Sequence, residues 1–190
     1  MLASAARLFD RQGYVRTTFD EIAADAGVGV ATVYKYFNSK QGIVIALLEP
    51  GLNDIFALAQ RAVERPQRDP GKSMVALLSA YRNLGGRNWA SRELLRLTVF
   101  PGIGNEGVLT ELVREAESQT QAQIRQLLAN LRNAGRLNPR LPLGDATAVV
   151  FALLNQHFAM YMSDSSLSFA ELFRRLSRRV RLVFLDWRAG

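Results

Sequence analysis

Thr17-Thr18-Phe19-Asp20-Glu21-Ile22-Ala23-Ala24-Asp25-Ala26-Gly27-Val28-Gly29-Val30-Ala31-Thr32-Val33-Tyr34-Lys35-Tyr36-Phe37-Asn38-Ser39-Lys40 reads as two short helices joined by a tight turn. Thr18 followed three residues later by Glu21 is a capping box, which starts a helix running from Phe19 to about Ala26. Gly27-Val28-Gly29 makes the turn, with Gly27 free to take a positive φ. A second helix spans roughly Val30–Phe37, and Ser39 can cap another that begins at Lys40. Ala23 is small enough for close approach of the two helices, and Ile22, Ala26, Val28 and Val33 pin their crossing angle.

Working outward, nearly every other segment also repeats with a helical period. Leu2, Ala5, Ala6, Leu8 and Phe9 form the apolar face of a first helix that Gly13 ends. The helix from Lys40 meets Glu49-Pro50-Gly51, where an interior proline removes a hydrogen bond at a cost of about 3 kcal/mol. A kink, or a stop and restart at Pro50, is therefore expected. Pro66 and Pro70 bracket a polar loop. Helices follow over Met74–Leu84, around Trp89–Val99 and along the Leu109–Leu131 stretch, whose C-terminal glycine is Gly135. Leu143–Met162 is apolar nearly all round, and a final helix sets Phe169, Leu172, Phe173, Leu176 and Val180 on one face with arginines opposite. The expected fold is all-α, with about nine helices: an N-terminal three-helix domain over residues 1–48 and a C-terminal helical bundle over 49–190.

A chain of 190 residues with 48% apolar content can bury a sizeable core. No cysteine is present, so disulfides and thiolate metal sites are ruled out and a reducing cytoplasm fits. One histidine, His157, cannot build a multi-histidine metal site. Glu111, Glu115 and Glu117 are spread along one helix beside Arg114 as a solvated face, and Asp164-Ser165-Ser166 has no base beside it. The chain is expected to be soluble and cytoplasmic, without a cofactor or metal, without a membrane partner, and not an enzyme.

The net charge of +7 favours a polyanionic partner. Residues 1–45 contribute little of it, with five basic residues (Arg7, Arg11, Arg16, Lys35, Lys40) against four acidic ones (Asp10, Asp20, Glu21, Asp25). The excess lies in Arg174, Arg175, Arg178, Arg179 and Arg181. That cluster reads as the solvated face of the last helix, with an acidic membrane surface or a second nucleic-acid contact as the sharper alternative.

In a helix-turn-helix the second helix enters the major groove, its N-terminal part toward the base edges. Val30, Ala31 and Thr32 then lie at the groove-facing start, where methyl groups can meet thymine. Lys35 reaches guanine acceptors or a phosphate, and Tyr34 and Tyr36 offer hydroxyls to phosphate oxygens. Thr17 and Thr18, with the amides that open the Phe19 helix, make a phosphate site, and Lys40 is a further phosphate clamp.

Ala5-Ala6-x-Leu8-Phe9, Gly13-Tyr14, Thr17-Thr18, Ile22-Ala23, Ala26-Gly27-Val28 and Thr32-Val33-Tyr34-x-Tyr36-Phe37-x-Ser39-Lys40 resemble, in order and spacing, the N-terminal domain of TetR-family transcriptional regulators. The resemblance covers about the first 48 residues. It implies that Thr32, Tyr34, Tyr36 and Lys40 contact DNA while Val30, Ala31 and Lys35 set sequence preference. It also implies a C-terminal domain with an effector pocket and a two-fold dimer interface. The chain departs from the pattern in three ways. It begins inside the first helix without a basic arm, Gly29 stands at a usually serine-like cap, and Gly42 and Pro50-Gly51 interrupt the fourth helix.

The expected function is a DNA-binding transcriptional regulator, a ligand-responsive repressor that binds a palindromic operator as a homodimer. A small hydrophobic or aromatic effector would release it. The alternative is a DNA-bound regulator controlled by a protein partner, with no small-molecule site. Effector-pocket candidates are Met74, Tyr81, Trp89, Phe100, Asn155, His157, Phe158, Tyr161 and Met162. Asn155 and His157 stand out because a polar side chain on so apolar a helix needs a partner. Candidates for the dimer interface are Val150, Leu154, Phe173, Leu176, Val180, Val183, Phe184 and Trp187.

Overall fold

The structure is a computed structural model, and it describes residues 1–81 and 108–189. Eight α-helices lie among the described residues: α1 (Leu2–Gln12), α2 (Phe19–Ala26), α3 (Val30–Phe37), α4 (Lys40–Glu64), α5 (Pro70–Ala80), α6 (Val108–Asn133), α7 (Leu143–Ser163) and α8 (Phe169–Trp187). The helix expected around Trp89–Val99 falls outside the described residues. The β-type pairing among them is a single bridge between Leu137 and Arg188.

The chain forms two compact units. The first holds Met1–Leu52 together with the start of α6 (residues 108–114), and the second holds Asn53–Asn83 and Glu115–Gly190. In the first unit α1 packs on α2 and α2 on α3. Its core is Ala5, Leu8, Phe9, Phe19, Ile22, Val33, Ile43 and Val44, all buried. Phe9 and Tyr14 meet with ring centroids 5.4 Å apart, which closes the base of this core.

In the second unit α8 packs against both α5 and α7. Met74, Leu77, Leu128, Val150, Leu176, Val180 and Phe184 fill the space between these helices and α6. Asp69 caps α5 by accepting from the Lys72 amide, and Ser168 caps α8 by accepting from the Glu171 amide. The end of α8 is tied back by Asn138 N–H to Trp187 C=O at 2.9 Å and by an ion pair between Arg188 and Asp69 at 2.5 Å.

Of the expected kink or stop and restart at Pro50, the stop and restart does not occur in α4. It runs unbroken for 25 residues with Pro50 inside it. Pro50 has no N–H to offer the Ala46 carbonyl, yet its fixed φ is itself helical, so one hydrogen bond is lost without a turn being unwound. Leu48 and Ile55 are buried on either side of the proline, so packing holds the helix across the gap. α4 is also the one described helix long and apolar enough, by length and composition, to cross a membrane. Core helices of water-soluble folds meet the same criterion.

Candidate nucleic-acid interface

The turn between α2 and α3 is built from local chemistry. Thr18 Oγ1 accepts from the Glu21 amide at 3.2 Å while Glu21 Oε2 accepts from the Thr18 amide at 2.8 Å. These bonds hold the Glu21 carboxyl below its ordinary value, the Thr18 amide first and the Gln12 side chain second. α2 stops at Gly27, whose φ of 66° lies in the left-handed region. There the Val28 amide donates to the Ala23 carbonyl at 3.0 Å and the Gly27 amide to Ala24 at 3.2 Å. This pair of bonds satisfies the free carbonyls at the end of α2 and sends the chain sharply into α3.

α3 buries one residue completely, Val33, and shelters Phe37 beside it. With about 100° between successive residues, Tyr34, Ala31, Lys35, Thr32 and Tyr36 follow one another around the remaining arc. Ala31, Tyr34, Lys35 and Tyr36 are exposed and Val30 and Thr32 half-buried. Tyr34 is 53% exposed and Tyr36 66%, values that leave both hydroxyls in solvent. The Tyr34 ring is nonetheless set by an edge-on contact with Phe19 at 4.5 Å. The α3 candidates thus share one solvent-facing surface.

Three other candidates sit differently. Thr17 is fully buried and its hydroxyl donates to the Gly13 carbonyl at 2.9 Å, so it locks the α1–α2 loop instead of facing outward. Thr18 is exposed, but its hydroxyl and amide are engaged with Glu21, whose carboxylate occupies the helix terminus where a phosphate was expected. Lys40 Nζ donates to the carbonyls of Tyr14 at 3.0 Å and Val15 at 3.1 Å and lies 4.8 Å from the Tyr14 ring centroid. Two of its three protons therefore hold the α1–α2 loop against α4, and one remains for a phosphate.

Gly42 matters in a way its sequence position did not reveal. A Cβ there would stand 2.3 Å from the Phe37 carbonyl oxygen, so the first turn of α4 abuts the last residue of α3 without room for a methyl group. The link between them is a tight turn on Asn38, with φ 50°, in which the Ser39 amide also donates to the Phe37 carbonyl. A glycine early in a helix was the available signal, but it reads equally well as a simple helix weakener.

In the second unit the pocket candidates divide. Trp89 and Phe100 lie outside the described residues. Met74 is core. Tyr81 donates to Gln123 Oε1 at 2.8 Å, and Gln123 Nε2 donates to the Phe56 carbonyl at 2.9 Å. Burial pushes the Tyr81 hydroxyl up to about 12, so this cluster, which joins α4, α5 and α6, is neutral. Gln123 went unnoticed in the sequence because it sits on a polar-looking stretch of α6. Phe158 and Tyr161 pack on Phe169 at 5.9 and 4.9 Å, and Met162 is buried. Asn155 is exposed, so water satisfies the amide that was expected to need an internal partner.

His157 is buried, with Nδ1 2.6 Å from the Leu153 carbonyl and Nε2 3.1 Å from Arg179 Nη1. A carbonyl only accepts and a guanidinium only donates, so the ring is the neutral tautomer protonated on Nδ1. Burial first, then Arg179 and Arg175, lower its pKa against the opposing pull of the Leu153 carbonyl.

The dimer-interface candidates divide by burial. Val150, Leu154, Phe173, Leu176, Val180 and Phe184 are buried within their own chain, and Val183 and Trp187 are half-buried. Their apolar face is satisfied by the protomer itself. The large apolar side chains left outside on α7 and α8 are Val149, Leu182 and Leu185, at 42%, 60% and 58% exposure.

An exposed α3 set by a glycine turn on a three-helix core, followed by a further all-helical unit, defines a helix-turn-helix unit at the front of an all-α chain. Residues 1–47 match the family model of bacterial regulatory proteins of the tetR family. Over 91 residues the chain is 28% identical to the HTH-type transcriptional regulator EthR of Mycolicibacterium smegmatis, covering 48% of this chain and 42% of that one. Over 48 residues it is 46% identical to the uncharacterized HTH-type transcriptional regulator YvkB of Bacillus subtilis, covering 25% of each. These matches span less than half the length of either relative. Along its whole length the fold is similar to that of the transcriptional regulator FadR of Bacillus subtilis, solved in complex with stearoyl-CoA. The TM-score is 0.74 at 17% identity, over 97% of this chain and 96% of that one. Residues 1–47 thus carry the N-terminal domain of the tetR family of bacterial regulatory proteins.

Proposed function

We propose that this protein is a repressor that binds a palindromic operator as a homodimer in the cytoplasm and is released by a small hydrophobic or aromatic effector. The observation that carries the DNA half is the exposed arc of α3, where Ala31, Tyr34, Lys35 and Tyr36 face solvent around a buried Val33. Lys35 and the small side chains read base edges, the tyrosines and the remaining Lys40 proton meet phosphates, and dimerisation supplies the second half-site. With so little net charge in residues 1–45, affinity rests on placed contacts and on two-fold symmetry. FadR is solved with stearoyl-CoA, which supports an apolar effector. Such a molecule releases DNA only by binding the non-binding conformation more tightly.

The test is DNA binding by fluorescence anisotropy, with operator fragments selected from genomic DNA. Lys35→Ala is expected to change sequence preference, with one lost base contact worth about 1–3 kcal/mol. Lys40→Ala is expected to weaken binding to all sequences and lower the salt slope by about one. If both variants bind like the parent protein, α3 is not the reading helix. The competing reading, control by a protein partner, draws on the Tyr81–Gln123 cluster, whose polar groups are already satisfied within the chain. Screening apolar ligands by thermal shift separates the two.

A further inference from the structure

Arg16, on the loop between α1 and α2, is exposed and makes no hydrogen bond or ion pair among the described residues. The other basic residues of 1–45 are mostly engaged. Arg7 is paired with Asp25, Arg11 lies within electrostatic reach of Glu21 and Asp25, and Lys40 places two protons on carbonyls. Lys35 on α3 and Arg16 are left without a partner.

The Arg16 side chain is free, but its backbone is not. Lys40 Nζ holds the Tyr14 carbonyl at 3.0 Å and the Val15 carbonyl at 3.1 Å. On the other side the buried Thr17 hydroxyl donates to the Gly13 carbonyl at 2.9 Å. Tyr14 is itself buried and packs on Phe9. Arg16 therefore projects from a loop fixed at both of its neighbours, and seating it on a ligand orders one side chain without ordering a loop.

Lys40 opens α4 directly after the tight turn on Asn38 that ends α3, so its bonds bring the loop to the end of α3 that carries Tyr36. Val15 stands next to Arg16 at 68% exposure, and the other exposed large apolar side chains of α1–α3 are Tyr34 and Tyr36. A helix seated in the major groove lies between two phosphate backbones, and a loop held at its end meets one of them. Thr17 is turned inward, and the start of α2 is closed by the Glu21 carboxylate. Arg16 supplies what that backbone needs from this loop, a positive charge with forked N–H donors.

We propose that Arg16 is the phosphate-binding residue of the α1–α2 loop, with Val15 laid against the adjoining sugar and Lys40 positioning the loop that presents them. The proposal rests on the DNA-binding reading above and adds to it a contact that α3 does not hold.

Anisotropy titrations across a salt series test it, on the selected operator and on an unrelated duplex, with a thermal melt of each variant. Arg16→Gln is expected to melt like the parent protein, because the side chain has no partner in the fold. It is expected to bind both duplexes about tenfold more weakly, as the loss of one charge-assisted hydrogen bond implies. The salt slope is expected to fall by about one for each protomer bound, and Arg16→Lys to restore it. An unchanged slope in Arg16→Gln overturns the phosphate contact. A loss confined to the operator overturns it too, since a phosphate carries no sequence information. On a Lys40→Ala background Arg16→Gln is expected to cost less than it does alone, and full additivity overturns the positioning role of Lys40. A parent protein that binds neither duplex overturns the DNA-binding reading itself, whereas a parent that binds and an Arg16→Gln variant that matches it overturn this contact alone.

Discussion

Replacing Gly42 by alanine tests whether the placement of α3 depends on its contact with α4. The added Cβ stands 2.3 Å from the Phe37 carbonyl oxygen, against 3.4 Å for ordinary contact, so about 1.1 Å of separation must be found. Both atoms belong to stiff groups, a methyl on a helix and a backbone carbonyl, so no rotamer change relieves the overlap. Overpacking of this kind costs about 1–3 kcal/mol, and the better helix propensity of alanine returns about 1 kcal/mol. The net loss of about 0–2 kcal/mol leaves the domain folded. α3 is the shorter element and ends at the collision, so it takes up most of the shift. A displacement near 1 Å spoils hydrogen bonds to base edges, each good bidentate one worth about 1–3 kcal/mol. Operator affinity should fall at least about tenfold, the equivalent of about 1.4 kcal/mol. Binding to unrelated duplex, which rests on phosphate charge, should change much less. Anisotropy titrations on both duplexes, with a thermal melt beside them, give the answer. Unchanged operator affinity with an unchanged melt would refute the close contact. Equal losses on both duplexes with a folded protein would refute the link to base reading.

Other perturbations have equally definite outcomes. Pro50→Ala restores the missing bond to the Ala46 carbonyl and should stabilise the fold by roughly 1–3 kcal/mol, seen as a higher denaturant midpoint; no gain would mean that carbonyl is already satisfied. Gln123→Leu removes the acceptor of the buried Tyr81 hydroxyl, leaving it the Thr120 side chain alone, and should cost about 1–3 kcal/mol in urea unfolding, with Tyr81→Phe on that background costing little more. His157 has a folded pKa below its ordinary 6.5. The unfolded chain therefore takes up a proton that the fold refuses, and stability is full above pH 6.5 and declines as pH falls below it. Carboxylates held low, such as Glu171 with its ordinary 4.5, add the same sign only at lower pH. Between pH 6.5 and 4.5 the slope should therefore disappear in His157→Gln; a slope that persists assigns it to another group.

The front of the molecule was legible because its determinants are local. The Thr18–Glu21 box, the left-handed Gly27 and the spacing of Ile22, Val33 and Phe37 each act within one or two helical turns, and the α2 and α3 boundaries follow from them. The roles of Thr17 and Lys40 were not legible. Both are polar residues near α3, and their partners are backbone carbonyls that folding delivers, for Lys40 from 25 and 26 residues away. Pro50 could be seen as a conflict, but whether a helix breaks or continues there depends on the packing of Leu48 and Ile55 around it.

Periodicity in α7 and α8 identified an apolar face and a charged face without saying what each would meet. One buried stripe looks the same whether a helix of the same chain or of another covers it. Only the packing of α8 on α5 and α7 assigned Val150, Leu176, Val180 and Phe184 to the protomer's own core and left Leu182, Leu185 and the arginines outside. The sequence by itself determined the all-helical class, the turn between α2 and α3 and the match of residues 1–47 to the tetR family, since these depend on neighbours along the chain. The tertiary structure alone decided which polar groups are already spent and which faces remain free, because burial and hydrogen-bond partners are set by distant segments.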